Sequence, residues 1–163
     1  MERITTRRTR RIDHYLHTAS CRIIDLLVAE GIGTLVIGKN RLWKQEVQMG
    51  RRNNQQFVAI PHARFIEMLT YKGALVGIRV IMTEESYTSK ASFLDADPLP
   101  LYGSAAVPAF SGRRVQRGLY RAADGRHINA VVNGAYNIIR KAAPDAFARG
   151  SRGCVVHPMR LAA

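Results

Sequence analysis

Two glutamates, Glu84 and Glu85, follow an apolar run directly, and paired carboxylates at a strand exit can offer oxygen ligands to a hard divalent cation. The same pair can also be read as solvated loop charge. A second candidate place is the stretch DGRHINAVVNGAYNIIRKAAP, residues 124–144, which runs from a turn through a short extended piece into a helix. Such a junction suits a metal-binding carboxylate, yet it offers Val131 and Val132. Asn129, Asn133 and Asn137 cluster there, either as turn and cap residues or facing a phosphate. His14 and His17 have a metal-compatible i, i+3 spacing, but no further Cys or carboxylate ligand accompanies them, and no metal is expected. Cys21 and Cys154 are the only cysteines, so there is no disulfide framework and no Cys-x-x-Cys pair; both are expected to be reduced and incidental.

The largest chemical resource is positive charge. Lys and Arg number 25 against 12 Asp and Glu, a formal net charge of +13, and the pI is near 10.7. This balance is far from that of a typical small-metabolite enzyme and points to a polyanionic partner. The basic residues cluster at Arg3, Arg7, Arg8, Arg10 and Arg11, at Arg51 and Arg52, at Lys90, and at Arg113, Arg114, Arg117, Arg121 and Arg126. Such clusters neutralise phosphates and release counterions, giving salt-sensitive affinity without sequence choice; the competing reading is a solvated face. Trp43 either anchors its loop or stacks on a base. No apolar run is long enough for a bilayer and the N-terminus has no apolar signal core, so a soluble, cytoplasmic protein is expected.

The elements that must position these residues read as one compact domain. Ile12, Leu16, Ala19, Ile23 and Leu26 or Leu27 form one stripe of an amphipathic helix with a basic leader, stopped near Gly31. TLVIG (residues 34–38) and IRVIMT (78–83) read as strands buried on both faces. Between them, a helix opening at Pro61 carries Phe65, Ile66, Leu69 and Leu75, which predicts parallel pairing through a crossover. From residue 84 the periodicity fades into a long, proline-containing surface segment. Residues 113–129 read as a hairpin turning at Asp124-Gly125, and a helix is expected from near Asn133 to before Pro144.

Four blocks carry a resemblance: GTLVIGKNRLWKQE, NNQQFVAIPHARFIEMLTYKGALVGIRVIMTEESYTSKASF, FSGRRVQRGLYRAADGRHINA and VNGAYNIIRKAAP. They resemble the C-terminal half of the TnpB (OrfB) family over about residues 10–145. That family comprises transposon-encoded proteins, also classed as transposases, that act as RNA-guided DNA endonucleases with a RuvC, RNase H-like domain. The Tyr87–Ser89 motif and VNGAYNI make the resemblance specific. It implies an α/β, partial RNase H-like (RuvC-type) fold with short parallel strands, crossover helices and a basic hairpin insert. On this reading residues 1–145, with the insert at 84–130, are the C-terminal part of the nuclease domain, and residues 146–163 are an irregular tail.

The family's chemistry needs three carboxylates on two divalent cations, Mg²⁺ in the family. The first, an Asp on the opening strand, has its place upstream of the blocks found here, and Asp13 resembles nothing in that motif. The second is replaced by Gly38. Some branches and their eukaryotic Fanzor relatives place a rearranged Glu just before Tyr-Thr-Ser, where Glu85 matches best and Glu84 is the neighbouring alternative. The third is the Asp of N-A-D-V-N-G-A-Y-N-I, and Val131 stands in its place. Where the family's zinc ribbon has its first Cys-x-x-Cys pair, this chain has Ser92 and Asp95, so no zinc is expected and Leu119 and Tyr120 are candidates to fasten the hairpin by packing.

The resemblance therefore implies a chain that binds DNA or guide RNA but is catalytically inactive by itself, with Glu85 the residual catalytic carboxylate and productive Mg²⁺ binding not expected. A separate N-terminal half of the nuclease is the partner such a chain would need. The alternative is a nuclease-dead regulator or accessory subunit of a split nuclease. A third reading, an active metal-dependent nuclease, would need carboxylates from another chain.

Overall fold

The computed structural model describes residues 2–39, 61–148 and 156–158. Trp43, Arg51, Arg52 and Cys154 lie outside the described residues. The described chain forms two compact units, one of residues 2–35 and 61–81, the other of residues 36–39, 82–148 and 156–158.

The first unit is built on two helices, α1 (Glu2–Ala29) and α2 (His62–Leu75). α1 continues through the basic leader. Its buried seam is Leu16, Ser20 and Ile24, at i, i+4 and i+8, rotated from the expected stripe; Ile12, Ala19 and Ile23 flank it half-buried. α2 answers with Met68, Leu69 and Gly73, while Leu75, expected in the core, is 79% exposed. The rotation has a polar cause: Lys72 Nζ donates to Ser20 Oγ at 2.7 Å and to the His17 carbonyl at 3.0 Å, which draws Ser20 into the seam. Asp13, the earliest aspartate, pairs with Arg64 at 2.6 Å across the same two helices.

β1 (Thr34–Gly38) and β2 (Arg79–Thr83) form a two-stranded sheet. Arg79 N donates to the Gly33 carbonyl and Lys39 N to the Thr83 carbonyl, so both strands run the same way. The expected parallel pair is present, but neither strand is buried on both faces: both are half-buried and Met82 is 58% exposed. Apolar composition reported the strands correctly and their depth incorrectly, because two paired strands among the described residues lack the covering layers of a larger parallel sheet.

The second unit centres on α3 (Ala130–Ala142) and an antiparallel sheet of β3 (Arg113–Gln116), β4 (Leu119–Arg121) and β5 (His127–Asn129). The expected hairpin is thus a three-stranded meander, with an additional turn at Arg117-Gly118. α3 begins three residues earlier than expected, because the Asn129 side chain caps it by accepting from Val131 N at 2.9 Å and Val132 N at 3.3 Å. Phe93, Tyr120, Ile128 and Ala130 form the core. Phe147, in the 3₁₀ turn Pro144–Phe147, packs edge-on against Phe93 at 4.9 Å, and Phe93 stacks on Tyr136 at 4.5 Å.

The segment after residue 84 departs most from expectation. Ser86, Thr88, Ala91, Ser92, Phe93 and Asp97 are all buried. It lacks periodicity because α3 satisfies its backbone through side chains. Asn133, fully buried, accepts from Phe93 N at 2.9 Å and donates to the Ala91 carbonyl at 2.8 Å, while Asn137 donates to the Thr88 and Ala91 carbonyls. An irregular backbone can be buried when such groups replace a ladder.

Candidate nucleic-acid interface and residual nuclease centre

β1 ends where β2 hands over to Glu84 and Glu85, and α3 passes the same place. A Cβ at Gly38 would stand 2.7 Å from Ile138 Cδ1 and 2.8 Å from Glu85 Oε2. The Glu85 carboxylate therefore occupies the room that a side chain on residue 38 would need. Val131 precedes Ile138 by two helical turns on the same face of α3. It is 69% exposed, and the space beside Gly134 is open.

The two glutamates have different work. Lys141, its side chain only 6% exposed, donates from Nζ to Glu84 Oε2 at 2.5 Å and to the Ser86 and Pro100 carbonyls. Glu84 Oε1 also accepts from Ser86 N at 2.7 Å. Burial alone would raise the Glu84 pKa; the hydrogen bonds of Lys141 and Ser86, with the Lys141 charge, outweigh it and hold the carboxyl below its ordinary value. Glu85 is pushed the other way, first by burial and then by the neighbouring Glu84 charge. Tyr87–Ser89 positions it: Tyr87 adopts a left-handed backbone at φ 63°, and Thr88 Oγ donates to the Glu85 carbonyl at 2.8 Å. Lys141, which sequence reasoning missed, has no signal beyond its place in the last turn of α3.

Two divalent cations do not fit this donor set. Glu84 is committed to Lys141, and Gly38 and Val131 carry no side-chain oxygen, which leaves Glu85 as the remaining carboxylate of the four positions. Among the described residues no three His, Cys, Asp or Glu side chains converge.

At the place of the zinc-ribbon pair, Ser92 and Asp95 do come together, with a second aspartate the sequence did not single out. Ser92 Oγ donates to Asp95 Oδ2 at 2.6 Å, and the same oxygen accepts from Ala123 N at 2.9 Å. Asp97, 3% exposed, accepts from Ser92 N, Ser111 N and Ser111 Oγ. This knot ties the start of the insert to Ser111 and to the β4–β5 turn. Tyr120, as expected, fastens the sheet. It is 1% exposed, its hydroxyl donates to the Lys90 carbonyl at 2.7 Å, and burial, with the Asp97 and Asp95 charges, pushes its pKa up to about 12. Leu119 is half-buried beside it.

The structure sorts the basic residues of the sheet. Arg113 stands opposite Arg121, and Arg121 opposite His127. The neighbouring row is Arg114, Tyr120 and Ile128, whose last two members face the core, so the first row lies on the outward face. Arg113, Arg114 and Arg117 are exposed and Arg121 half-buried. Arg126 is engaged by Asp124, and Lys90, exposed, lies 5.9 Å from the Tyr87 ring centre. All three asparagines are spent on caps and backbone, which favours the bland reading of them over a phosphate-facing one. No described helix is long and apolar enough to cross a membrane.

Residues 62–138 match the model of the Cas12f1-like TNB domain family. No curated protein matches the chain. The fold is similar to that of a chain in a cryo-EM structure of a Cas12f1–sgRNA–target DNA complex, with a TM-score of 0.56 at 18% identity. The match covers 82% of this chain and 35% of that one, so the chain spans about a third of the length of that relative. Together these findings give a match to the Cas12f1-like TNB domain family over residues 62–138 and a fold similar to that of the Cas12f1 chain, for a mixed α/β chain with small sheets.

Proposed function

We propose that the chain is a nucleic-acid-binding portion of a TnpB-like, RNA-guided endonuclease, of RuvC type in its residual centre, and that it does not cleave DNA by itself. The observation that carries this reading is the Gly38–Glu85 exchange. One carboxylate sits in the room of a residue-38 side chain, as in a rearranged nuclease centre, while Val131 leaves the α3 position without an oxygen. A single carboxylate cannot hold two cations at the roughly 4 Å separation used for in-line phosphodiester hydrolysis. The exposed arginines of the sheet supply binding without sequence choice. A complementary nuclease segment carrying the opening-strand Asp is the partner such a centre needs.

The test is plasmid cleavage in Mg²⁺ or Mn²⁺ by the purified chain, with Val131→Asp and Glu85→Ala alongside, together with a salt titration of DNA and RNA binding. Binding should weaken by orders of magnitude between about 50 and 200 mM salt, as for roughly six phosphate contacts, with no cutting by the unmodified chain. Metal-dependent cutting that disappears in Glu85→Ala would overturn the inactive reading, and absent binding at low salt would overturn the binding one.

A further inference from the structure

We infer that a cavity at the C-terminal end of α3 takes one unstacked guanine base from a bound nucleic-acid strand. The inference rests on the nucleic-acid-binding reading above, which carries no sequence choice, and adds a single position of choice to it. The cavity lies within the second unit and has a volume of about 330 Å³. This is the small end of the range for ligand pockets, roughly 300–1,000 Å³, and suits one flat ring system rather than a stacked strand. Glu84 reaches it from the exit of β2, and Arg140 and Lys141 from the last turn of α3. Leu99, Leu101 and Pro144 give it an apolar wall for the faces of a ring. Leu101 is 67% exposed and the adjoining Tyr102 70%, apolar surface that an inserted base and its stacked neighbour would cover.

The polar groups of the lining decide against a phosphate and for a base. Lys141 spends its three N–H donors on Glu84 Oε2 and the Ser86 and Pro100 carbonyls, so it holds the wall together and offers a ligand no donor. Glu84 would repel a phosphate. Burial pulls its pKa up, but Lys141 and Ser86 hold it below the ordinary value, so at neutral pH it is ionised and only accepts. Its side chain stays 31% exposed, and Lys141 and Ser86 leave part of its capacity of about four acceptor sites for a ligand. Arg140 is the opposite case. Its guanidinium donates to Asn137 Oδ1 and to the Ala96 and Asp97 carbonyls, neutral acceptors that fix its plane without cancelling its charge.

The lining therefore sets an ionised acceptor and a planar cation around one small space. Guanine has the matching edges. Its N1–H and N2 amino group are adjacent donors for a carboxylate, and its O6 and N7 are adjacent acceptors of the kind arginine reads. Adenine and cytosine place a ring acceptor beside the amino group on the same edge, and uracil and thymine flank N3–H with carbonyls. A carboxylate repels part of each of these.

The experiment measures binding of the full chain to labelled oligothymidylates, with and without one central guanine, at about 50 and about 200 mM salt. The guanine should raise affinity about tenfold or more, and that ratio should be the same at both salt concentrations, because base contacts release no counterions. Exchanging the guanine for hypoxanthine, which lacks the N2 amino group, or for 7-deazaguanine, which lacks N7, should each cost most of the gain. These arms use the unmodified chain and depend on no variant folding. Glu84→Gln should cost most of the gain as well. Leu101→Ala, at an exposed position, should weaken the guanine oligomer severalfold with the melting temperature unchanged. Equal binding of the plain and guanine-bearing oligomers, or a preference that survives the hypoxanthine exchange or Glu84→Gln, would overturn the inference. So would guanosine alone binding as tightly as the guanine oligomer, since that marks a site for a free nucleoside. Absence of any binding at low salt sinks the broader reading too.

Discussion

Asp95 and Asp97 on one side, and Glu84 and Glu85 on the other, are two acidic pairs in the same irregular segment with opposite electrostatic fates. The aspartates accept from Ser92, Ser111 and Ala123, neutral donors supplied by neighbouring backbone and hydroxyls, and they tie the insert together without any charged partner among these donors. The glutamates divide instead. Glu84 takes the buried lysine, and Glu85 is left half-buried beside a like charge with its pKa raised. A carboxylate surrounded by donors is part of the scaffold; one half-buried against a like charge is the kind that functional centres hold. The difference is measurable, because the two kinds respond to substitution with opposite sign.

The largest effect is expected at Asp97. Asp97→Ala leaves Ser92 N, Ser111 N and Ser111 Oγ without their acceptor in a buried site, at a cost of about 3 kcal/mol or more, read as a fall in the denaturant midpoint. Asp97→Asn, which keeps one acceptor oxygen, should lose less. A midpoint unchanged in Asp97→Ala would place Asp97 outside the scaffold and remove one side of the comparison.

An intermediate effect belongs to Lys141. Lys141→Met strands Glu84 and two carbonyls beneath α3, costing about 2 kcal/mol, less than for a fully buried pair because Glu84 is partly solvated. Adding Glu84→Gln should recover part of that loss, since the two residues are coupled. If the double variant is no more stable than Lys141→Met, the buried lysine serves the carbonyls rather than the glutamate.

Much of this was legible in the sequence, and the limits have physical reasons. Strand-forming runs such as TLVIG announce themselves through β-branched residues, and Asp124-Gly125 announces its turn. The depth of the strands did not follow, since apolarity cannot count the layers that cover a sheet. The burial of residues 86–97 left no periodic trace, because Asn133 and Asn137 hold that backbone from another element. Glu85 was found through the Tyr-Thr-Ser resemblance, whereas Lys141 and Asp97 were not singled out: each acquires its role from a partner that only folding brings to it. The arginines were found as a group, but their division into an outward row, a core-side residue and an ion-paired one needed the register.

The smallest effect, and the one of opposite sign, belongs to Glu85. Its folded pKa is raised above the ordinary carboxylate value of 4.5, so the folded chain holds this proton more tightly than the unfolded one. Stability from this group is therefore greatest below the ordinary pKa and is lost as pH rises through the folded value; at neutral pH the ionised side chain is a burden on the fold. Glu85→Gln removes the charge while keeping the shape, and should raise the melting temperature at neutral pH by an amount of order 1 °C. The gain should shrink as pH falls toward and below 4.5, where the wild-type carboxyl is itself protonated. Glu84 runs the other way: its lowered pKa contributes stability above the ordinary value that is lost as pH falls through the folded one, so Glu84→Gln should destabilise at neutral pH. Thermal melts of both variants across this range check the two signs together. If Glu85→Gln instead lowers the melting temperature at neutral pH, Glu85 belongs with Asp95 and Asp97 as scaffold, and the nuclease-like centre proposed above loses its one carboxylate.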